Sequence, residues 1–133
     1  MVKRQWVFFI IIFPFFATLF LYQFAISQSS SSIRIPKEIS KIPLPKLLDF
    51  GMGTCIPCKK MAPILKELSE EYKGRVVIKI IEVYQERMLT QANGIRLIPT
   101  QIFFDAKNQE VYRHVGFMDK EQIKNVFKSM GLK

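Results

Sequence analysis

At 133 residues the chain is long enough for one domain with a real core and too short for two. It carries 20 Lys and Arg against 11 Asp and Glu, but the basic residues are scattered, with no dense run and no aromatic-basic alternation, which argues against a nucleic-acid footprint. Two cysteines are too few for a disulfide-rich scaffold.

The first element is apolar. From Trp6 to Ile26 the chain reads WVFFIIIFPFFATLFLYQFAI without a charge, the length a helix needs to cross a hydrocarbon core, and Pro14 is tolerated in such a span. Lys3 and Arg4 precede it and no charge follows until Arg34, so the positive-inside rule puts residues 1–5 in the cytoplasm and sends the rest across. We read residues 6–26 as an uncleaved anchor; a signal sequence cleaved near Ala25 and Ser27 is the alternative. Residues 27–45, serine-rich and then carrying Pro36, Pro43 and Pro45, read as a tether whose second half could pack as a short edge strand. A domain over 46–133 remains.

Within it the periodicity alternates. KLLDFG, Lys46 to Gly51, fits a buried strand. Cys58, Met61, Leu65, Leu68 and Tyr72 recur at three and four, which predicts an amphipathic helix stopped at Gly74 and kinked at Pro63. VVIKIIEV, Val76 to Val83, is rich in β-branched residues and reads as a central strand. Glu86 to Asn93 is a shorter, polar helix, and strands starting at Gln101 and Glu110 flank the hairpin signal AKNQ. Asp119 caps a last helix with Ile123, Val126, Phe127 and Met130 on one face, ended by Gly131. This order predicts an α/β fold, a mixed central sheet with helices on both faces.

The pair Cys55 and Cys58 stands where a strand gives way to a helix. There the unpaired N–H groups and the positive dipole end favour a thiolate, the reactive form of cysteine. Cys58, one turn on, is placed to attack a mixed disulfide on Cys55, and Pro57 stiffens the turn where a helix start needs no N–H. Other readings stay open on the residues alone. A structural disulfide over so small a loop would constrain the unfolded chain little. Zinc wants about four ligands where only His114 could join, leaving no metal site on this count, and two thiolates could hold a soft ion such as Cu(I). His114 itself lies in the outer hairpin and reads as structural or solvent-facing.

DFGMGTCIPCKKMAPIL, Asp49 to Leu65, followed by GIRLIPT, Gly94 to Thr100, resembles the thioredoxin family over 46–133. The resemblance implies a thioredoxin-like fold behind the transmembrane helix and, with no bound cofactor, a redox-active disulfide Cys55–Cys58. It implies that Ile98-Pro99 is a cis peptide bond shaping a substrate groove with Pro57 and Thr100, and that Gly116 lets a substrate approach. It implies that Asp49 is the buried acid that moves the Cys58 proton, and it places Lys79 near that acid. Two positions depart from the family pattern: Thr54 stands where a tryptophan usually precedes the first cysteine, and Ile56-Pro57 replaces Gly-Pro.

The expectation is therefore a membrane-anchored thiol-disulfide oxidoreductase whose domain faces the periplasm or its equivalent. Its partners would be protein thiols and disulfides, with a membrane-embedded electron donor and no nucleic acid. Pro57, Asp49 and Ile98 resemble the reducing branch more than the oxidising one. The alternatives are a disulfide-forming oxidase and a non-catalytic chaperone or copper-binding module.

Overall fold

The computed structural model of the protein describes residues 34–132. The expected anchor, the N-terminus expected in the cytoplasm and the serine-rich start of the expected tether lie outside the described residues, and among the described residues no helix is long and apolar enough to cross a membrane. In chain order the elements are α1 (Lys37–Ser40), β1 (Lys46–Gly51), α2 (Ile56–Glu71), β2 (Val77–Glu82), α3 (Arg87–Ala92), β3 (Thr100–Phe104), β4 (Glu110–Val115) and α4 (Lys120–Ser129).

The four strands form one mixed sheet in the order β2-β1-β3-β4. β1 and β2 are parallel, as a strand–helix–strand crossover requires, whereas β1–β3 and β3–β4 are antiparallel. All six residues of β1 are buried, and strand alternation divides them between two cores. Leu47 joins Met61, Leu65, Leu68, Phe103, Ile123 and Phe127 on the face covered by α2 and α4. Leu48 and Phe50 join Ile102, Phe104, Ile81, Leu89, Ile35 and Ile39 on the opposite face, toward α1 and α3. The helices on both faces thus follow the predicted architecture.

Two expectations are corrected. VVIKIIEV does not form a central strand: β2 is at the sheet edge among the described residues, and only Ile81 of its six residues is buried. A β-branched run states that a segment is extended, not how many neighbours it has. The second half of the expected tether does pack, but as the short helix α1 and not as an edge strand. Ile35 and Ile39 are core residues, and the buried Lys46 ammonium donates to the carbonyls of Ile42 and Leu44 at 2.9 and 2.7 Å, tying that segment onto β1.

The helix ends and the hairpin turn follow their local signals. α2 runs through Pro63 unbroken, and Gly74 takes φ +75° just past its end, where a side chain would be strained. Asp119 and Gln122 close a capping box on α4, each side chain bonding the other's backbone N–H at 2.8 and 2.9 Å. In the hairpin the Asp105 carboxylate accepts from the N–H groups of Lys107 and Gln109, and Asn108 adopts φ 65°.

Candidate active site

β1 delivers the site. Its last residue, Gly51, opens a short loop closed by a Cys55 N–H bond to the Met52 carbonyl at 3.0 Å, and the Gly53 N–H donates to Glu82 at 3.1 Å. Cys55 is the N-cap of α2, with extended backbone, and its Sγ accepts the Cys58 N–H at 3.4 Å. A sulfur held against the first turn of a sixteen-residue helix receives both a hydrogen bond and the positive dipole end, the arrangement that favours a thiolate. Cys55 is partly exposed and Cys58 buried, with Cα atoms 5.3 Å apart, and the two are joined as a disulfide. Pro57 lies in the first turn, where its missing N–H has no helical partner to lose.

Behind the cysteines lies Asp49. It sits two residues before Gly51 on the same face of β1, with 1% of its surface exposed. A Cβ on Gly51 would lie 3.3 Å from Cys58 Sγ and 3.7 Å from Asp49 Oδ2, so the glycine leaves open the space that the thiol and the carboxyl share. Burial pushes the Asp49 carboxyl up from 3.8 to about 6, against a hydrogen bond from Gln101 Nε2 to Oδ1 at 2.8 Å that acts to lower it. Neither Gly51 nor Gln101 was singled out by the sequence, although a glutamine in the apolar run TQIFF is the kind of mismatch that marks such a position.

Lys79 does not take the place expected of it. It is in register with Leu48 rather than Asp49, which puts it on the opposite face, where its ammonium pairs with Glu38 of α1.

At the same end of the sheet the Ile98-Pro99 peptide bond is cis. Pro99 is buried, and its carbonyl accepts the N–H of Gly116 at 2.8 Å, which joins the two loops named in the sequence. Gly116 has φ +108°, a conformation a side chain would strain. Thr100 is placed differently from a substrate-facing residue: it is buried and its hydroxyl donates to the Leu97 carbonyl at 2.7 Å, fixing the turn into the cis proline. Large apolar side chains stand exposed around these loops, Ile56 at 71%, Leu97 at 66% and Phe117 at 42%. Sequence reasoning missed this collar because each residue is isolated along the chain. His114 is half-buried on β4, opposite Gln101 in register and one strand removed from Asp49. No group of three or more His, Cys, Asp or Glu able to hold a metal occurs among the described residues.

The family profile described as "Thioredoxin" matches residues 33–129, more than half of the chain, taking in the later part of the 27–45 segment. The chain belongs to the thioredoxin family. It is 33% identical over 87 residues to a thioredoxin of Rickettsia felis, covering 65% of this chain and 82% of that one. To a thioredoxin of Haemophilus influenzae it is 38% identical over 82 residues, 62% of this chain and 76% of that one. Thioredoxin C-2 of Corynebacterium nephridii is 43% identical over 79 residues, 59% of this chain and 72% of the relative. With the Cys-x-x-Cys pair at its helix start, the thioredoxin-family protein is a thiol-disulfide oxidoreductase.

Proposed function

We propose that the protein reduces disulfides of exported proteins from a membrane-tethered position outside the cytoplasm, with Cys55 as nucleophile, Cys58 as resolving thiol and Asp49 as proton acceptor. The observation that carries the chemistry is the buried Asp49 carboxyl facing Cys58 across Gly51, with its protonation raised to about 6 by burial. A carboxylate so placed is a far better base than an exposed one, since its proton affinity lies close to neutral pH.

In the reducing direction the Cys55 thiolate attacks one sulfur of a substrate disulfide. The S–S bond breaks, the other sulfur leaves as a thiolate, and a mixed disulfide forms on Cys55. Cys58 then loses its proton to Asp49 and attacks Cys55 Sγ, releasing the second substrate thiolate. Two electrons pass to the substrate, and the protein is left in the Cys55–Cys58 disulfide form that the structure records. A dithiol donor must then reduce that bond, and a membrane-embedded donor fits a tethered domain. In this reading the cis Ile98-Pro99 bond and Gly116 shape the substrate groove, and the exposed Ile56, Leu97 and Phe117 offer it apolar contacts.

The reading is tested by insulin reduction in the presence of dithiothreitol. Wild type accelerates it and Cys55→Ser does not; equal rates would overturn the reading. A reduction potential near -270 mV identifies a reductase and one near -120 mV an oxidant. The location is tested by carbonate extraction of membranes and protease accessibility in spheroplasts. Release into the carbonate supernatant, or protection from external protease, removes the tether and its orientation from the proposal.

A further inference from the structure

Gln101 is a costly residue where it stands. All five residues of β3 are buried, Gln101 shows no exposed surface, and its Oε1 has no hydrogen-bond partner. An apolar side chain would pack there without desolvating an amide, so a buried, half-satisfied glutamine calls for a reason. Its position supplies one. Gln101 lies directly opposite Asp49 in the β1–β3 register, and its Nε2 donates to Oδ1 at 2.8 Å. The amide's other interaction is with Met61 Sδ at 3.0 Å, a weak acceptor that is easily given up.

Among the described residues, the other groups that face Asp49 are few. β2 offers Ile80 in register, β1 offers Leu47 and Gly51, and α2 offers Cys58 and Met61. On β4, His114 stands beyond Gln101, and Lys79 is turned to the far face with Glu38. A lysine or arginine beside Asp49 would pin the carboxyl in its charged form, and an apolar residue would leave neither form a partner. An amide carries a donor and an acceptor on one centre and can serve both.

We propose that Gln101 is a positioning residue for the proton exchange between Cys58 and Asp49. Its amide donates Nε2–H to the carboxylate and, after a half-turn about Cγ–Cδ, accepts the O–H of the protonated acid on Oε1. In the step it supports, the Cys58 S–H bond breaks, an Asp49 O–H bond forms, and the thiolate goes on to attack Cys55. The inference rests on Asp49 being the group that takes the Cys58 proton.

The test uses the full-length chain in detergent micelles. In the oxidised wild type, the Gln101 side-chain amide resonances should move with pH at the same midpoint as the Asp49 carboxyl carbon; amide resonances flat through that titration overturn the proposal without needing any variant. Gln101→Met keeps the length and removes the amide, and it should raise the Asp49 midpoint by about one pH unit, the size of a hydrogen bond to a charged acceptor. The pH profile for release of a glutathione mixed disulfide from Cys55 should move by the same amount. A folded Gln101→Met protein with neither midpoint moved shows that Gln101 only packs, and overturns the proposal. Asp49→Asn should flatten that release profile; an unchanged profile there overturns the reading of Asp49 itself, and with it the role given to Gln101.

Discussion

Asp49 and Glu110 are carboxylates on opposite faces of one sheet, and their surroundings push them in opposite directions. Toward α2 and α4, Asp49 is enclosed by apolar side chains with a neutral amide for a partner, and its proton is held up to about 6. Toward α1 and α3, Glu110 is held below the usual carboxylate range by Arg113, which donates at 2.8 and 3.0 Å, and by Arg34. Asn93 completes that cluster, receiving Arg113 Nη1 on its backbone carbonyl at 2.8 Å and donating its amide to the Arg34 carbonyl at 2.8 Å. Asp49 has no cation to compensate its charge, whereas Glu110 is clasped by two arginines. A group that must gain and lose a proton near neutral pH cannot be clasped by arginines.

The largest break in this contrast comes at Cys58. Cys58→Ser leaves Cys55 able to attack but nothing to resolve the product, so insulin reduction should fall to background and covalent Cys55 adducts should accumulate on non-reducing gels. Glu110→Gln, on the other face, should leave the rate unchanged. Turnover retained in Cys58→Ser would mean that resolution comes from an outside thiol.

Asp49→Asn should separate stability from activity. A carboxyl whose folded proton affinity is raised favours the folded state when protonated, and that advantage is lost as pH rises from the unfolded value of 3.8 through about 6. At pH 7 the charged Asp49 therefore opposes folding, and its replacement should stabilise the protein by roughly 3 kcal/mol while slowing mixed-disulfide resolution. Below pH 3.8 the stabilisation should vanish. Denaturant melts at pH 3.5 and pH 7 read the loss of that gain, and a gain of equal size at both would mean that relief of packing, not charge, is the cause.

Glu110 should show the mirror image. Its lowered proton affinity contributes stability that is present above the unfolded value of 4.5 and is lost as pH falls through the folded one. Because its partners are about a third exposed, Glu110→Gln should destabilise by only about 1 kcal/mol at pH 7, with the difference closing in acid. A constant penalty across pH would assign the effect to lost hydrogen-bond geometry instead.

The same contrast separates what the residues disclosed from what they did not. The β1–α2 junction was legible because Cys55, Pro57 and the spacing from Cys58 to Tyr72 are local signals, and local signals fix helix starts. Asp49 was legible through family resemblance, its burial through the run KLLDFG. Gln101 was legible only as a polar misfit in an apolar strand, since the partner that explains it lies 52 residues away. Residues 34–45 misled for the same reason. Serine and three prolines read as a tether, while Ile35 and Ile39 fill the core only because Leu48, Phe50 and Ile102 are brought there by the sheet.

The smallest expected effect sharpens the contrast most, because it asks whether the two faces are electrostatically separate. Lys79 occupies the position at which family resemblance placed a lysine near the acid, yet it shares the face of Leu48 and its ammonium is held by Glu38. The sheet lies between that ion pair and Asp49, and the causes that act on the Asp49 carboxyl are burial and Gln101, with no cation among them. Lys79→Met should therefore leave the Asp49 midpoint and the pH profile of mixed-disulfide release where they are, and Glu38→Gln should do the same. A fall in the midpoint of Asp49 in Glu38→Gln would mean that the freed ammonium swings round the edge strand to reach the carboxyl. Among the described residues β2 is the sheet edge, and Ile80, the residue level with Asp49, is about half exposed, so that route is open there.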